Sequence, residues 1–291
     1  MPLGNEIIYY KNFNKYLLFF KLTKFLQQNK SLENLCNIIS QNFGTVLIGA
    51  EIEFYLSNDI DIKEFQKKLE YKIIKERAEM QYEIILPPEN NLIQLINKIS
   101  VAIEQVQKIS KNFNTDTLFT PKPFLDNYGN GLHFHINIID SNRKNLFDNE
   151  KILLKYADVL CHYMKLTFFS FAPEKKYYAR LKKGYLAPTH ISYGKDNRTA
   201  SLRIVTKFPK RIEHRLSSPS LDPYLGLYVI IKCLYISLQS PPLINKSYNV
   251  YGNAFDSQYN LEPLPANLKI AYSNFDLSFF GFKKAINFIF K

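Results

Sequence analysis

Apolar residues recur at two different spacings along the chain, and the change between them marks its elements. From residue 1 to about residue 44 the spacing is helical: Leu17, Phe20, Leu22 and Phe25, then Leu32, Leu35, Ile38 and Ile39, which predicts one or two helices. At Thr45 the character shifts, and TVLIGAEIEFYL has the β-branched content and the length of a strand. Ile62 to Ile73 reads as helix, and Gln81 to Leu86 as a strand closed by Pro87-Pro88. The clearest helix runs from Asn91 to Asn112, with Leu92, Leu95, Ile96, Ile99, Ile103, Val106 and Ile109 along one stripe. Gly131 to Ile139 follows as a strand behind a glycine-rich turn, and Glu150 to Phe171 as a helix. Thr199 to Val205 and Lys210 to Leu216 are two more strands, before a helix from about Asp222. The stretch PLPANLKIAYSNF predicts a turn and a short last helix. This alternation points to an α+β protein with a mainly antiparallel sheet. The aromatic pairs Phe168-Phe169, Phe279-Phe280 and Phe288-Phe290 are most simply core.

Composition narrows the class. The 291 residues are 46% hydrophobic and 15% aromatic, enough to build a sizeable core and to exclude disorder. Lys and Arg outnumber Asp and Glu by 38 to 26, a net charge of +12. That balance suits nucleic acid, an anionic membrane or an anionic small substrate, and a solvated basic surface is the simplest account of it. Three cysteines, Cys36, Cys161 and Cys233, are too few and too scattered for a disulfide framework. They read as buried thiols in a reducing compartment. The first residues lack the layout of a secretory leader. No run reaches the roughly 18 apolar residues of a membrane span; the nearest, Tyr224 to Leu238, is interrupted by Lys232. A soluble, cytoplasmic protein that binds neither membrane nor nucleic acid is the expectation.

The chemistry lies on the strands and obeys their period of two. Glu51 and Glu53 share one face, opposite Ala50, Ile52 and Phe54. His133, His135 and Asn137 share a face, as do Arg211, Glu213 and Arg215, with His214 on the other side among the core positions. Arg203 and Glu83 follow the same alternation. Any one such strand is ordinarily a solvated amphipathic face. Five in succession place carboxylates, imidazoles and guanidiniums together, while lysine is left to the helix surfaces. Arginine's planar fork suits carboxylate and phosphate, whereas lysine suits open solvent. So many carboxylates with two imidazoles exceed an acid–base pair and suit Mg²⁺, or Mn²⁺ with a mixed ligand set. Arginines beside such ions equip a site for a nucleoside triphosphate, because phosphoryl transfer needs charge neutralisation and alignment. Neither a Walker motif nor a kinase-type glycine loop is present.

These segments, in this order, resemble the catalytic domain of glutamine synthetase. The family's E-x-E-F strand is met by Glu51-Ile52-Glu53-Phe54, and its E-x-x-x-x-Q-x-E motif by Glu76, Gln81 and Glu83. Pro121-Lys122-Pro123 precedes Gly129-Asn130-Gly131-Leu132-His133-Phe134-His135, the glycine loop and H-x-H strand. Arg180-Leu181-Lys182-Lys183-Gly184-Tyr185-Leu186-Ala187-Pro188 stands for R-L-x-x-G-Y-E-A-P. Asn197-Arg198-Thr199-Ala200-Ser201-Leu202-Arg203-Ile204 stands for N-R-S-x-S-x-R-I. Arg211-Ile212-Glu213-His214-Arg215 matches R-I-E-x-R, followed by Asp222-Pro223-Tyr224-Leu225 for N-P-Y-L. The likeness covers about Gly49 to Tyr272.

The resemblance implies a curved, mainly antiparallel sheet with helices on its outer face, residues 1–44 being a helical segment and 45–291 the catalytic-type domain. It implies two divalent metal sites, Glu53, Glu76 and Glu83 at one, and Glu51, His133 and Glu213 at the other. Arg180 and Arg215 would grip substrate carboxylates beside Gly129 and Gly131. Arg198, Arg203 and Arg211 would meet the phosphates of ATP, with His135 near the nucleotide. Arg180, Arg198 and Glu213 would be the catalytic residues. The implied reaction is ATP-dependent joining of a glutamate-like acid to an amine through an acyl phosphate.

Departures from the pattern fall on the amine half. The family's lid glutamate is Leu186, the asparagine before its glycine loop is Tyr128, and the serine after its second histidine is Asn137. Only about 44 helical-looking residues stand where the family's β-grasp domain would be, and the stretch between Glu53 and Glu76 is short. These features suggest a homo-oligomer other than the family's ring, and either a bulkier amine or a protein that binds metal and nucleotide without turnover as a regulatory partner.

Overall fold

The computed structural model describes residues 15–241 and 248–281. The helical pattern expected before Lys15 and the aromatic pair Phe288-Phe290 lie outside the described residues. Two helices, α1 (Lys15–Gln28) and α2 (Ser31–Asn42), lead into the long strand β1 (Thr45–Leu56). Next come α3 (Ile62–Lys67), β2 (Lys72–Lys75), β3 (Gln81–Glu89), α4 (Leu92–Lys111), β4 (Thr117–Leu118) and β5 (Leu132–Ile139). The second half holds α5 (Glu150–Thr167), α6 (Lys175–Tyr178), β6 (Tyr193–Lys195), β7 (Leu202–Val205), β8 (Arg211–Ser217), α7 (Tyr224–Gln239) and α8 (Leu268–Asn274).

The strands form one eight-stranded sheet in the order β2-β3-β1-β5-β8-β7-β6, with β4 paired to the end of β1. Every pairing is antiparallel except β6 with β7. The α+β architecture read from the sequence is therefore the one found. One sheet face packs Ile48, Ile52, Phe54, Ile84, Phe134, Ile136 and Ile212 into the main core, which also takes in apolar residues of α2, α4, α5 and α7. Leu18, Phe19, Leu22 and Leu26 of α1 join that same core, and the Tyr224 hydroxyl donates to the Leu26 carbonyl and accepts from the Leu32 N–H. Helix α4 buries Leu92, Leu95, Ile99, Ala102 and Val106, its start held by the Asn91 side chain accepting from the Gln94 N–H. Among the described residues, no helix is long and apolar enough to cross a membrane.

Two elements differ from expectation. The helix at Ile62 ends at Lys67, and Lys72–Lys75 is a strand. The Gln66 side chain donates to the Tyr71 carbonyl and accepts from the Ile73 N–H, which turns the chain back onto β3. Strand β3 also runs on through Pro87-Pro88 to Glu89. Its pairing with β2 stops at Ile85, so the prolines stand where that side of β3 is an edge and no N–H is required. The short parallel strand β6 escapes sequence reading because three residues carry no usable periodicity.

Candidate metal and phosphate-transfer site

Register brings the polar residues into one field. Across β1 and β3, Glu53 lies directly opposite Glu83. Across β1 and β5, Glu51 lies opposite His133. His135 faces Glu213 across β5 and β8, and Glu213 faces Arg203 across β8 and β7. Glu76 enters from the turn after β2, where its N–H donates to the Gln81 carbonyl. His214 pairs with Phe134 on the opposite, apolar face, as its place in the alternation requires.

The charges are ordered and mostly buried. Oxygens of Glu53, Glu76 and Glu83 lie within 4.8 Å of one another, and the same holds for ligand atoms of Glu51, His135 and Glu213. His133, which the resemblance assigns to the second set, sits between the two. Its Nδ1 is 3.3 Å from Glu213, 3.8 Å from Glu51 and 3.9 Å from Glu53. Glu213 is 1% exposed and contacts Arg215 and, at 3.1 Å, Arg203. Arg198 reaches Glu76 at 3.6 Å, and Arg211 Nε donates to His135 Nδ1 at 3.1 Å.

A guanidinium only donates, so each imidazole is oriented by an arginine. Arg180 approaches His133 Nε2 at 3.3 Å, which turns the Nδ1 side toward the carboxylates. Arg211 does the same for His135, whose Nε2 lies 2.9 Å from Glu51. Arg180 itself is fully enclosed, donating to the carbonyls of Leu216 and Arg215. The glycine loop makes room for it. A Cβ on Gly131 would stand 2.2 Å from His133 Nε2, and one on Gly129 would stand 2.7 Å from the Arg180 Cγ. The Gln81 amide donates to the Gly129 carbonyl, and the Gly131 N–H donates to Glu53.

Electrostatics set the carboxylates apart. Burial, with the nearby charges of Glu51, Glu76 and Glu53, pushes Glu83 up to about 10. Burial also opposes ionisation of Glu213, but Arg215, His133 and His135 outweigh it and hold the group at about 2. For Glu51, burial opposes ionisation, but the two adjacent histidines outweigh it and keep the group well below the usual carboxylate range. Burial brings Arg180 down to about 10. A set of three close carboxylates, one of which burial and its neighbours make hard to ionise, fits a hard divalent cation with oxygen ligands. The buried His135 Nε2 without an aligned hydrogen-bond partner fits the second set.

Residues 68–286 match the family model for the glutamine synthetase catalytic domain. The chain belongs to the glutamine synthetase family. It is 26% identical to glutamine synthetase of Methanocaldococcus jannaschii over 196 residues, covering 62% of this chain and 43% of that protein. It is 32% identical to the Pyrococcus woesei glutamine synthetase over 160 residues, 52% of this chain and 36% of the relative. Gamma-glutamylputrescine synthetase of Escherichia coli is 25% identical over 181 residues, 60% of this chain and 38% of that enzyme. The match thus spans less than half the length of these relatives. In fold, the chain is similar to Plasmodium falciparum glutamine synthetase, with a TM-score of 0.71 at 16% identity over 89% of this chain and 73% of that one. A GmaS structure with ADP gives the same score at 21% identity, over 89% of this chain and 70% of that one.

Within this family member, the cleft lined by Glu53 and Glu76 also takes in Tyr128, Tyr185, Leu186 and Ala187, which form its less polar wall. Leu186 adopts a left-handed backbone (φ 53°), and its carbonyl accepts from Arg215 at 3.1 Å. Arg77, next to Glu76, and Tyr185 also line the cleft, and sequence reading passed over both as site residues. Adjacency to a proposed ligand was the available signal for Arg77. For Tyr185 it was the neighbouring departure at Leu186.

Proposed function

We propose that this protein is an ATP-dependent ligase that joins a glutamate-like carboxylic acid to an amine. Membership in a ligase family supports the class. The observation that carries the reading is the pair of acidic clusters on one sheet face, Glu53–Glu76–Glu83 and Glu51–His135–Glu213, ringed by arginines. Those residues, with His133, would hold Mg²⁺ or Mn²⁺, which would supply charge neutralisation for the phosphates. Arg198, Arg203 and Arg211 stand at the same field to take the triphosphate. Arg215 and the glycine loop would orient the acid, and Arg180 holds His133 and the loop in place. The acid's γ-carboxylate oxygen attacks the terminal phosphorus, ADP leaves, and the resulting acyl phosphate is open to an amine.

Hydroxylamine tests the activation half directly, because it intercepts an acyl phosphate without a dedicated amine pocket. With glutamate, ATP and Mg²⁺, the protein is expected to form the hydroxamate. Glu53→Ala should lower that rate by at least about a hundredfold, the scale of losing one well-placed electrostatic group. ATP binding with no hydroxamate from folded protein would instead select the second reading, a nucleotide and metal binder without turnover, which Leu186 on the amine side favours.

A further inference from the structure

We infer that the amine accepted here carries a negative charge of its own, as an amino acid or other amino-carboxylate does. Ammonium, a simple alkylamine and a polyamine are the excluded classes. The inference rests on the ligase reading above and adds the acceptor's class to it.

A protonated amine needs a carboxylate or an open aromatic face to replace its water. The wall formed by Tyr128, Tyr185, Leu186 and Ala187 offers no carboxylate. Its aromatic face is already taken: Lys122 Nζ stands 3.7 Å from the Tyr185 ring centroid and also donates to the Asn127 carbonyl. Tyr128 packs against Tyr185 at right angles, with ring centroids 6.0 Å apart. The Leu186 carbonyl accepts from Arg215, which ties this segment to the cleft.

The remaining charges near this wall are positive. Arg77 and Arg198 line the cleft, and Lys182 lies close enough to Lys122 to help burial press its pKa down. Asp126, exposed on the loop after Pro123, opposes that shift and lies outside the cleft lining. The cleft's two carboxylates are engaged, Glu53 with the Gly131 N–H and Glu76 with the Arg77 N–H and Arg198, against the four arginines Arg77, Arg180, Arg198 and Arg215 that line it. Among the described residues, a cationic amine would enter this field with no unengaged carboxylate in the cleft lining. An amino-carboxylate brings an anion for Arg77 and Arg198 while its nitrogen reaches the acyl group. Its ammonium first gives one proton to solvent, and the neutral nitrogen then attacks the carbonyl carbon, forming the C–N bond as the C–O bond to phosphate breaks. Phosphate leaves with the electron pair, and the surplus proton passes to phosphate or solvent.

The test uses the full chain with ATP, Mg²⁺ and glutamate, and three amines on one four-carbon skeleton: 4-aminobutanoate, putrescine and butylamine, with ammonia alongside. Phosphate release should be fastest with 4-aminobutanoate, its kcat/KM about tenfold above putrescine, a ratio equal to about 1.4 kcal/mol. Arg77→Glu should reverse that order, a ratio of two amines within one variant that a general loss of activity does not move. Equal or faster turnover of putrescine, butylamine or ammonia overturns the inference, as does hydroxamate formation with none of these amines used. Absence of hydroxamate overturns the ligase reading itself, and this inference falls with it.

Discussion

Glu53 and Glu83 stand face to face across two strands, where like charges repel. A proton or a cation must separate them, and this need is what makes the site a metal candidate rather than a solvated acidic patch. His214 illustrates the opposite face of the same strand. It is fully buried, its ring lies 4.6 Å from that of Phe171, and its Nδ1 has no partner. Burial, with a smaller push from His133, holds its pKa down at about 3 against an ordinary 6.5. The folded protein therefore keeps His214 neutral while the unfolded chain takes up a proton. Its contribution to stability is intact above pH 6.5 and is lost as pH falls from there toward 3. At about 1.36 kcal/mol per pH unit, roughly 2–3 kcal/mol is gone by about pH 4.5. Urea denaturation of wild type and His214→Phe at neutral and mildly acidic pH should give a flatter pH profile for the variant. Identical slopes would show that the imidazole titrates normally. Alternation alone placed His214 in the core, since any residue between Glu213 and Arg215 must point away from them.

At the scale of elements, long regular patterns were readable and short ones were not. Helix α4 repeats its apolar stripe over twenty residues, and β1 and β5 each carry several alternations, so both type and facing were legible. The end of α3 was not, because Gln66 decides it by bonding to Tyr71 and Ile73. The continuation of β3 through two prolines depends on the length of β2, a neighbour in space. Strand β6 exists because β7 and the Tyr248 carbonyl satisfy its backbone. Caps, by contrast, are local. Asn91 accepts from the Gln94 N–H at 3.1 Å, and Asn91→Ala should cost about 1 kcal/mol in equilibrium unfolding. A change near zero would mean that tertiary packing alone holds the start of α4.

For the whole molecule, the acidic clusters couple folding to cations. A divalent ion that binds the folded state and ignores the unfolded one stabilises it, by about 2.7 kcal/mol at a hundred times its Kd. Mg²⁺ or Mn²⁺ should therefore raise the thermal midpoint by several degrees. Glu83→Gln preserves shape and removes the carboxyl that a bound cation would ionise, so the same titration should raise its midpoint far less. An undiminished rise in the variant would place the ion elsewhere.

Sequence alone determined which residues share a face, because strand alternation and helical periodicity depend only on covalent geometry. It also determined the family, through residues kept at set intervals along one strand or turn. Tertiary structure decided what those residues are to one another. Register sets Glu53 against Glu83 and Glu213 against Arg203, over separations in sequence that no local pattern encodes. It enclosed Arg180 behind two glycines, so that the side chain supports His133 from within the fold. It also brought Tyr128 to Tyr185 and Leu186 in the cleft lining, with Lys122 over the Tyr185 ring. Those outcomes follow from long-range packing, in which distant segments converge only once the sheet has closed its register.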